Sequence, residues 1–142
     1  MSAVTTSSAA RCRLIKDMFE LRVLIVEDDD VLQQLLRLQL EDYPDISIVA
    51  ITATAEDGLR ICQERRPDAA IVDLRLPGMS GEELMAILHS QYPGMRLVGY
   101  SSSPLASSAQ ALRRIGVTIV DKGNVADLVA VLRGRAAIGD AA

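Results

Sequence analysis

Positive charge is the first thing this chain has little of. Fifteen Lys and Arg residues face 19 Asp and Glu, a net charge of −4. A protein that binds nucleic acid on its own normally shows a basic face, so direct nucleic-acid binding is not expected. Long apolar runs are missing too. No stretch reaches the roughly 18–20 residues that a membrane span needs, and residues 1–10 lack the basic-then-apolar order of a secretory signal. No membrane association is expected. Only two cysteines are present, Cys12 and Cys62. They show no metal-ligand spacing and read as reduced thiols of a cytoplasmic protein. Neither G-x-G-x-x-G nor G-x-x-x-x-G-K-[ST] occurs, which removes the two common phosphate-cradling loops of nucleotide-binding proteins. His89 is the single histidine. It lies near the end of a helical stretch and is expected to be exposed.

The chain does hold enough apolar material for one core. Its 142 residues, 49% hydrophobic, suit a single domain. Apolar runs at 23–26, 46–51, 69–72, 96–100 and 117–120 read as strands. Stretches of helical periodicity lie between them, at 30–40, 55–65, 82–89, from 104 onward and from about 124 to 133. Asp29 or Asp30 is placed to cap the first of these, with Val31, Leu32, Leu35 and Leu36 expected inward. Leu84, Met85, Ile87 and Leu88 read as a core stripe. Pro104 suits a first helical turn. Strands alternating with helices imply a parallel sheet covered on both faces. The expected class is an α/β doubly wound sheet of five parallel strands with five helices. Residues 1–20 read as an N-terminal extension, 21–135 as the domain and 136–142 as a flexible tail.

The strand ends carry the chemistry. The first ends in Glu27 and Asp28, the third in Asp73, the fourth in Ser101 and the fifth in Asp121 and Lys122. In an open α/β sheet ligands bind outside the carboxyl ends of the strands. With strand order 2-1-3-4-5, the flavodoxin-like arrangement, these ends surround one crevice. Clustered carboxylates there repel one another and favour a divalent cation, and oxygen ligands with open positions suit Mg²⁺. A carboxylate can also act as a nucleophile toward phosphorus. Lys122 is placed to hold a phosphoryl oxygen. Ser101 directly follows the apolar stretch and is preferred to Ser102 for the hydroxyl role.

Taken in order, these pieces resemble a family. The sequence Val-Leu-Ile-Val-Glu-Asp-Asp at 23–29, Asp-Leu-Arg-Leu-Pro-Gly-Met-Ser-Gly at 73–81, Ser101 and Lys122 is similar to the receiver domains of two-component response regulators, including the stand-alone chemotaxis-type receivers. The resemblance runs from about residue 22 to residue 133. It implies that Asp73 accepts a phosphoryl group from a sensor histidine kinase or a histidine phosphotransfer protein. It implies that Glu27, Asp28, Asp73 and the Arg75 carbonyl bind Mg²⁺, Glu27 through water. It gives Ser101 and Lys122 contacts to the phosphoryl group. Output would pass to a downstream protein target or onward in a phosphorelay, with no enzymatic turnover beyond the domain's own phosphorylation and autodephosphorylation.

Two positions depart from the family pattern. Ile119 stands where many members carry Tyr or Phe, so an aromatic rotamer switch is not available there. Gly123 follows the lysine where proline in a cis linkage is common. A trans peptide, a more mobile loop and a less rigidly placed Lys122 are expected. Two other readings compete. A metal-dependent phosphatase with an aspartyl nucleophile would need an aspartate two residues on, where Arg75 stands. A docking module with degenerate switching would need the site to fail.

Overall fold

The computed structural model describes Ser8 and residues 20–102 and 107–134. The expected extension and tail therefore fall outside the described residues apart from Ser8 and Glu20, as do Cys12, Pro104 and Leu105. Five strands form the sheet: β1 (Leu21–Val26), β2 (Ile46–Thr52), β3 (Ala69–Asp73), β4 (Arg96–Ser101) and β5 (Thr118–Asp121). They alternate with α1 (Asp30–Leu40), α2 (Ala55–Arg65), α3 (Gly81–Gln91), α4 (Ser107–Arg114) and α5 (Val125–Leu132). All strand pairs are parallel and the order is β2-β1-β3-β4-β5. The chain therefore has the doubly wound, flavodoxin-like architecture, with order 2-1-3-4-5.

Alternation along each strand sends side chains to two apolar layers. Leu24, Val26, Ala70, Val72, Leu97 and Ile119 meet α2, α3 and α4. Val23, Ile25, Ile71, Val98, Tyr100 and Val120 meet α1 and α5. Strand β3 is buried along its whole length, which is why it reads as a continuous apolar run rather than an alternating one.

Local chemistry sets the helix ends. Asp29 caps α1 by accepting from the Val31 and Leu32 amides. Thr54, Ser80 and Asn124 do the same for α2, α3 and α5. Each satisfies an orphan donor of a first turn. At the opposite pole arginines serve the carbonyl ends. The Arg22 guanidinium donates to the Arg65 and Arg66 carbonyls at 2.8 and 3.0 Å, and Arg96 donates to the Leu132 carbonyl. Arg133 forms a two-pronged pair with Asp45 at 2.7 and 2.8 Å, fastening the end of α5 to the turn before β2.

One expectation about packing is corrected. Val31 and Leu35 do not face inward: they are 75% and 41% exposed, together with Leu38 at 61%. Leu36 and Leu40 carry the burial instead. Apolar residues occupy so much of this helix's circumference that periodicity alone does not single out the inner face.

Candidate functional site

The carboxyl ends of β1, β3, β4 and β5 lie side by side, as the strand order requires. Strand β1 continues into Glu27, which is 2% exposed, and Asp28, which is exposed. Asp73 closes β3 and is 4% exposed. One carboxylate oxygen from each of Glu27, Asp28 and Asp73 lies within 4.8 Å of the others. From β5, the Lys122 ammonium reaches Asp73 Oδ2 at 3.0 Å and stands 3.6 Å from Glu27 Oε2. Asp73 Oδ1 accepts from the Arg75 amide at 3.0 Å. That bond fixes the rotation of the carboxylate. With Asp29, Asp30, Val31 and Leu32, these five residues line a cleft of about 540 Å³.

Ser101 lies at the end of β4, between β3 and β5, one register step beyond the Asp73–Tyr100 pair. It is buried while Ser102 is exposed, and its carbonyl accepts from the Lys122 amide at 2.9 Å. The cleft lining does not include it.

The electrostatics follow from burying two carboxyl groups, Glu27 and Asp73, near one cation. Burial pushes the Glu27 carboxyl up to about 8. A hydrogen bond with Asp73 and its negative charge push the same way, and Lys122 only partly offsets them. For Lys122, burial acts to lower the pKa, but the hydrogen bond and charge of Asp73, followed by Glu27, raise it above the usual lysine range. The ammonium therefore stays charged. Glu27 Oε2 is buried without a hydrogen-bond partner, since 3.6 Å to Lys122 is too long for one. An orphaned carboxylate oxygen facing two others is the donor set of a hard divalent cation, and the cluster can hold one.

Gly81 has a role that spacing does not reveal. A Cβ there would run into the Asp73 carbonyl and come within 2.7 Å of Leu74 Cα. The start of α3 therefore lies directly against the main chain of Asp73. Motif position is the only sequence signal for it.

Both departures from the family pattern have structural counterparts. Ile119 is buried, and its register partner is Gly99. A Cβ on Gly99 would strike the Ile119 Cδ1 methyl, so the isoleucine fills the place a side chain on β4 would occupy. No peptide bond among the described residues is cis. After Lys122 the Gly123 amide donates to the Tyr100 hydroxyl at 2.9 Å. The turn is fastened to β4.

A parallel sheet of this order with an acidic cleft at its carboxyl edge, a lysine directly after β5 and a serine at the end of β4 defines a class of α/β switch domain. Residues 23–133 match the model of the response regulator receiver domain, and the chain belongs to that family. It is a receiver domain of two-component signalling. Among curated proteins, the probable C4-dicarboxylate response regulator DctR of Halalkalibacterium halodurans is 29% identical over 97 residues, 68% of this chain and 42% of that protein. The transcriptional regulatory protein BtsR of Escherichia coli is 32% identical over 72 residues, 51% of this chain and 30% of that protein. The chain thus spans less than half the length of these relatives. A LuxR-family two-component response regulator from Aurantimonas sp. superposes with a TM-score of 0.72 at 27% identity, covering 85% of this chain and 91% of the other. The response regulator domain of Thermotoga maritima CheB, at 20% identity and TM-score 0.73, covers 87% and 99% and shares the fold. Among the described residues no helix is long and apolar enough to cross a membrane.

Proposed function

We propose that Asp73 is the phosphoacceptor of this receiver and that Mg²⁺ held by Glu27, Asp28, Asp73 and the Arg75 carbonyl is required for the transfer. The family implies a histidine kinase or histidine phosphotransfer protein as donor, and a cytoplasmic setting. In the transfer an Asp73 carboxylate oxygen attacks phosphorus. The P–N bond to the donor imidazole breaks, and its electron pair leaves with the ring nitrogen. Lys122 neutralises part of the charge on the acceptor and on the incoming phosphoryl oxygens. Mg²⁺, when bound, supplies further positive charge to those oxygens. The Arg75 amide keeps Asp73 Oδ1 in place, and Ser101 offers a hydroxyl to the acyl phosphate. The phosphorylated domain then signals through contact with a downstream protein or by onward transfer. We further infer that the functional unit spans residues 21–135, preceded by an extension and followed by a tail.

The observation that carries this reading is the convergence on one cleft of Lys122, 3.0 Å from Asp73 Oδ2, and an acidic trio whose Glu27 Oε2 has no partner. The test is intact mass after incubation with acetyl phosphate and Mg²⁺. The wild type gains one phosphoryl group, and Asp73→Ala and a sample without Mg²⁺ gain none. A wild type that binds Mg²⁺ yet takes up no phosphoryl group would turn the reading toward a phosphorylation-independent docking module or a receiver that accepts phosphate only from its own kinase.

A further inference from the structure

Two consecutive residues of β4 hold two consecutive amides of the turn between β5 and α5. The Ser101 carbonyl accepts from Lys122 N–H and the Tyr100 hydroxyl from Gly123 N–H, both at 2.9 Å. The Lys122 Cα lies between those two fastened amides. The Tyr100 ring is 2% exposed and packs with Val98, Val120 and Leu128 in the layer beneath α1 and α5. Its hydroxyl is therefore positioned by the core and not by solvent. A phenol buried among aliphatic side chains needs a partner for its polar end, and this one reaches out of the layer to the turn. Gly123 has φ +95°, a conformation open to glycine at little cost. The turn is closed by its own Asn124 N–H to Asp121 carbonyl bond at 3.1 Å, and Gly123, with no side chain to pack, is held from outside by Tyr100. Proline at this position would have no N–H to give. Here an N–H is present and Tyr100 receives it.

We propose that Tyr100 is a positioning residue for Lys122. Acting through Gly123, it keeps the ammonium within reach of Asp73 and of the phosphoryl group the carboxylate accepts. The inference rests on the receiver reading given above. It assigns to the β4 residue before Ser101 a restraint on Gly123 beyond the turn's own Asn124 N–H to Asp121 carbonyl bond at 3.1 Å. One strand thus contributes to the site from both faces: Ser101 on the side of α2, α3 and α4, Tyr100 on the side of α1 and α5. Tyr100 touches none of the reacting atoms, and its effect passes wholly through the lysine.

The test is a double-mutant cycle of Tyr100→Phe and Lys122→Ala, read by the rate of phosphorylation from acetyl phosphate at saturating Mg²⁺. Phenylalanine keeps the ring and the packing, and Gly123 at the other end of the bond is an exposed residue. Urea unfolding of Tyr100→Phe is therefore expected to stay close to wild type. The Gly123 amide exchanges faster with deuterium, the Lys122 ammonium signal in ¹H–¹⁵N spectra broadens, and phosphorylation slows by about 3- to 10-fold. In the Lys122→Ala background the same change alters the rate by less than about 1.5-fold, because nothing remains to be positioned. Equal slowing in both backgrounds would make Tyr100 a structural residue only and overturn the proposal, as would no slowing in either. If the wild type accepts no phosphoryl group from acetyl phosphate, what has failed is the receiver reading or this small-molecule donor, and not the proposal for Tyr100. The amide exchange and ammonium signal still decide the clasp, since neither needs phosphate: both unchanged in Tyr100→Phe would overturn it.

Discussion

At the scale of single residues, Glu27 is the group whose behaviour depends most on its surroundings. An ordinary carboxyl is ionised well below neutral pH. Here burial, with Asp73 beside it, holds the pKa at about 8. The folded, metal-free domain therefore keeps a proton on Glu27 that the unfolded chain would release. Because the folded value is raised, this group favours folding below its unfolded pKa, and that contribution is lost as pH rises toward 8. A cation needs the carboxylate and must displace the proton. Mg²⁺ affinity is expected to rise between about pH 6 and about pH 8, with roughly one proton released per ion near neutrality. Calorimetry in two buffers of different ionisation enthalpy measures that proton. Glu27→Gln should abolish its release, and an unchanged release in that variant would assign the proton to another group. These acids could be read along the chain because each follows an apolar run, and parallel strands deliver their ends to one edge. The shifted pKa could not be read that way, because it depends on burial and on Asp73, 46 residues away.

At the scale of elements, α1 and α3 show two different limits of sequence reading. Val31, Leu32, Leu35, Leu36, Leu38 and Leu40 leave the inner side of α1 open to choice, and contact with β1, β2 and α5 makes that choice. Leu36→Ala is expected to cost about 2–5 kcal/mol. Val31→Ala and Leu38→Ala, at exposed positions, should stay within about 0.5 kcal/mol of wild type. Chemical denaturation of the three variants checks this, and comparable losses for all three would place the outer stripe in a core. For α3 the deciding contact is between main chains. Gly81→Ala pushes a methyl group into the Asp73 carbonyl. It is expected to cost about 1–3 kcal/mol and also to slow phosphorylation, because the acceptor moves with its carbonyl. Ala at exposed Gly94, where a Cβ meets nothing within 4 Å, serves as the control and should do neither.

At the scale of the whole molecule, the charge arrangement has a thermodynamic consequence. Carboxylates gather at one pole of the sheet, while Arg22 and Arg96 donate to helix-end carbonyls at the other. The acidic pole is held together in the metal-free state by a proton and by Lys122. A bound cation replaces part of that work. Mg²⁺ at about 100 times its Kd should raise unfolding stability by about 2.7 kcal/mol. Asp28→Asn should lose most of that gain. Its metal-free stability should barely change, because Asp28 is exposed. Thermal scans with and without Mg²⁺ decide between this and a site to which Asp28 contributes nothing.

The order of strands and helices along the chain, a first-helix cap at Asp29 or Asp30 and the three strand ends that carry Glu27 with Asp28, Asp73 and Lys122 were determined by the sequence alone. Each depends on neighbours a few residues apart, whose periodicity, turn chemistry and charge act locally. The tertiary structure alone decided which side of α1 is buried, why Gly81 must be glycine, how far the Glu27 carboxyl is shifted and what holds the turn after Lys122. Each of these is a contact between segments distant in the chain, down to Tyr100 on β4 and Gly123 in the turn after β5. Such contacts depend on packing distance and side-chain direction, which a one-dimensional pattern does not contain.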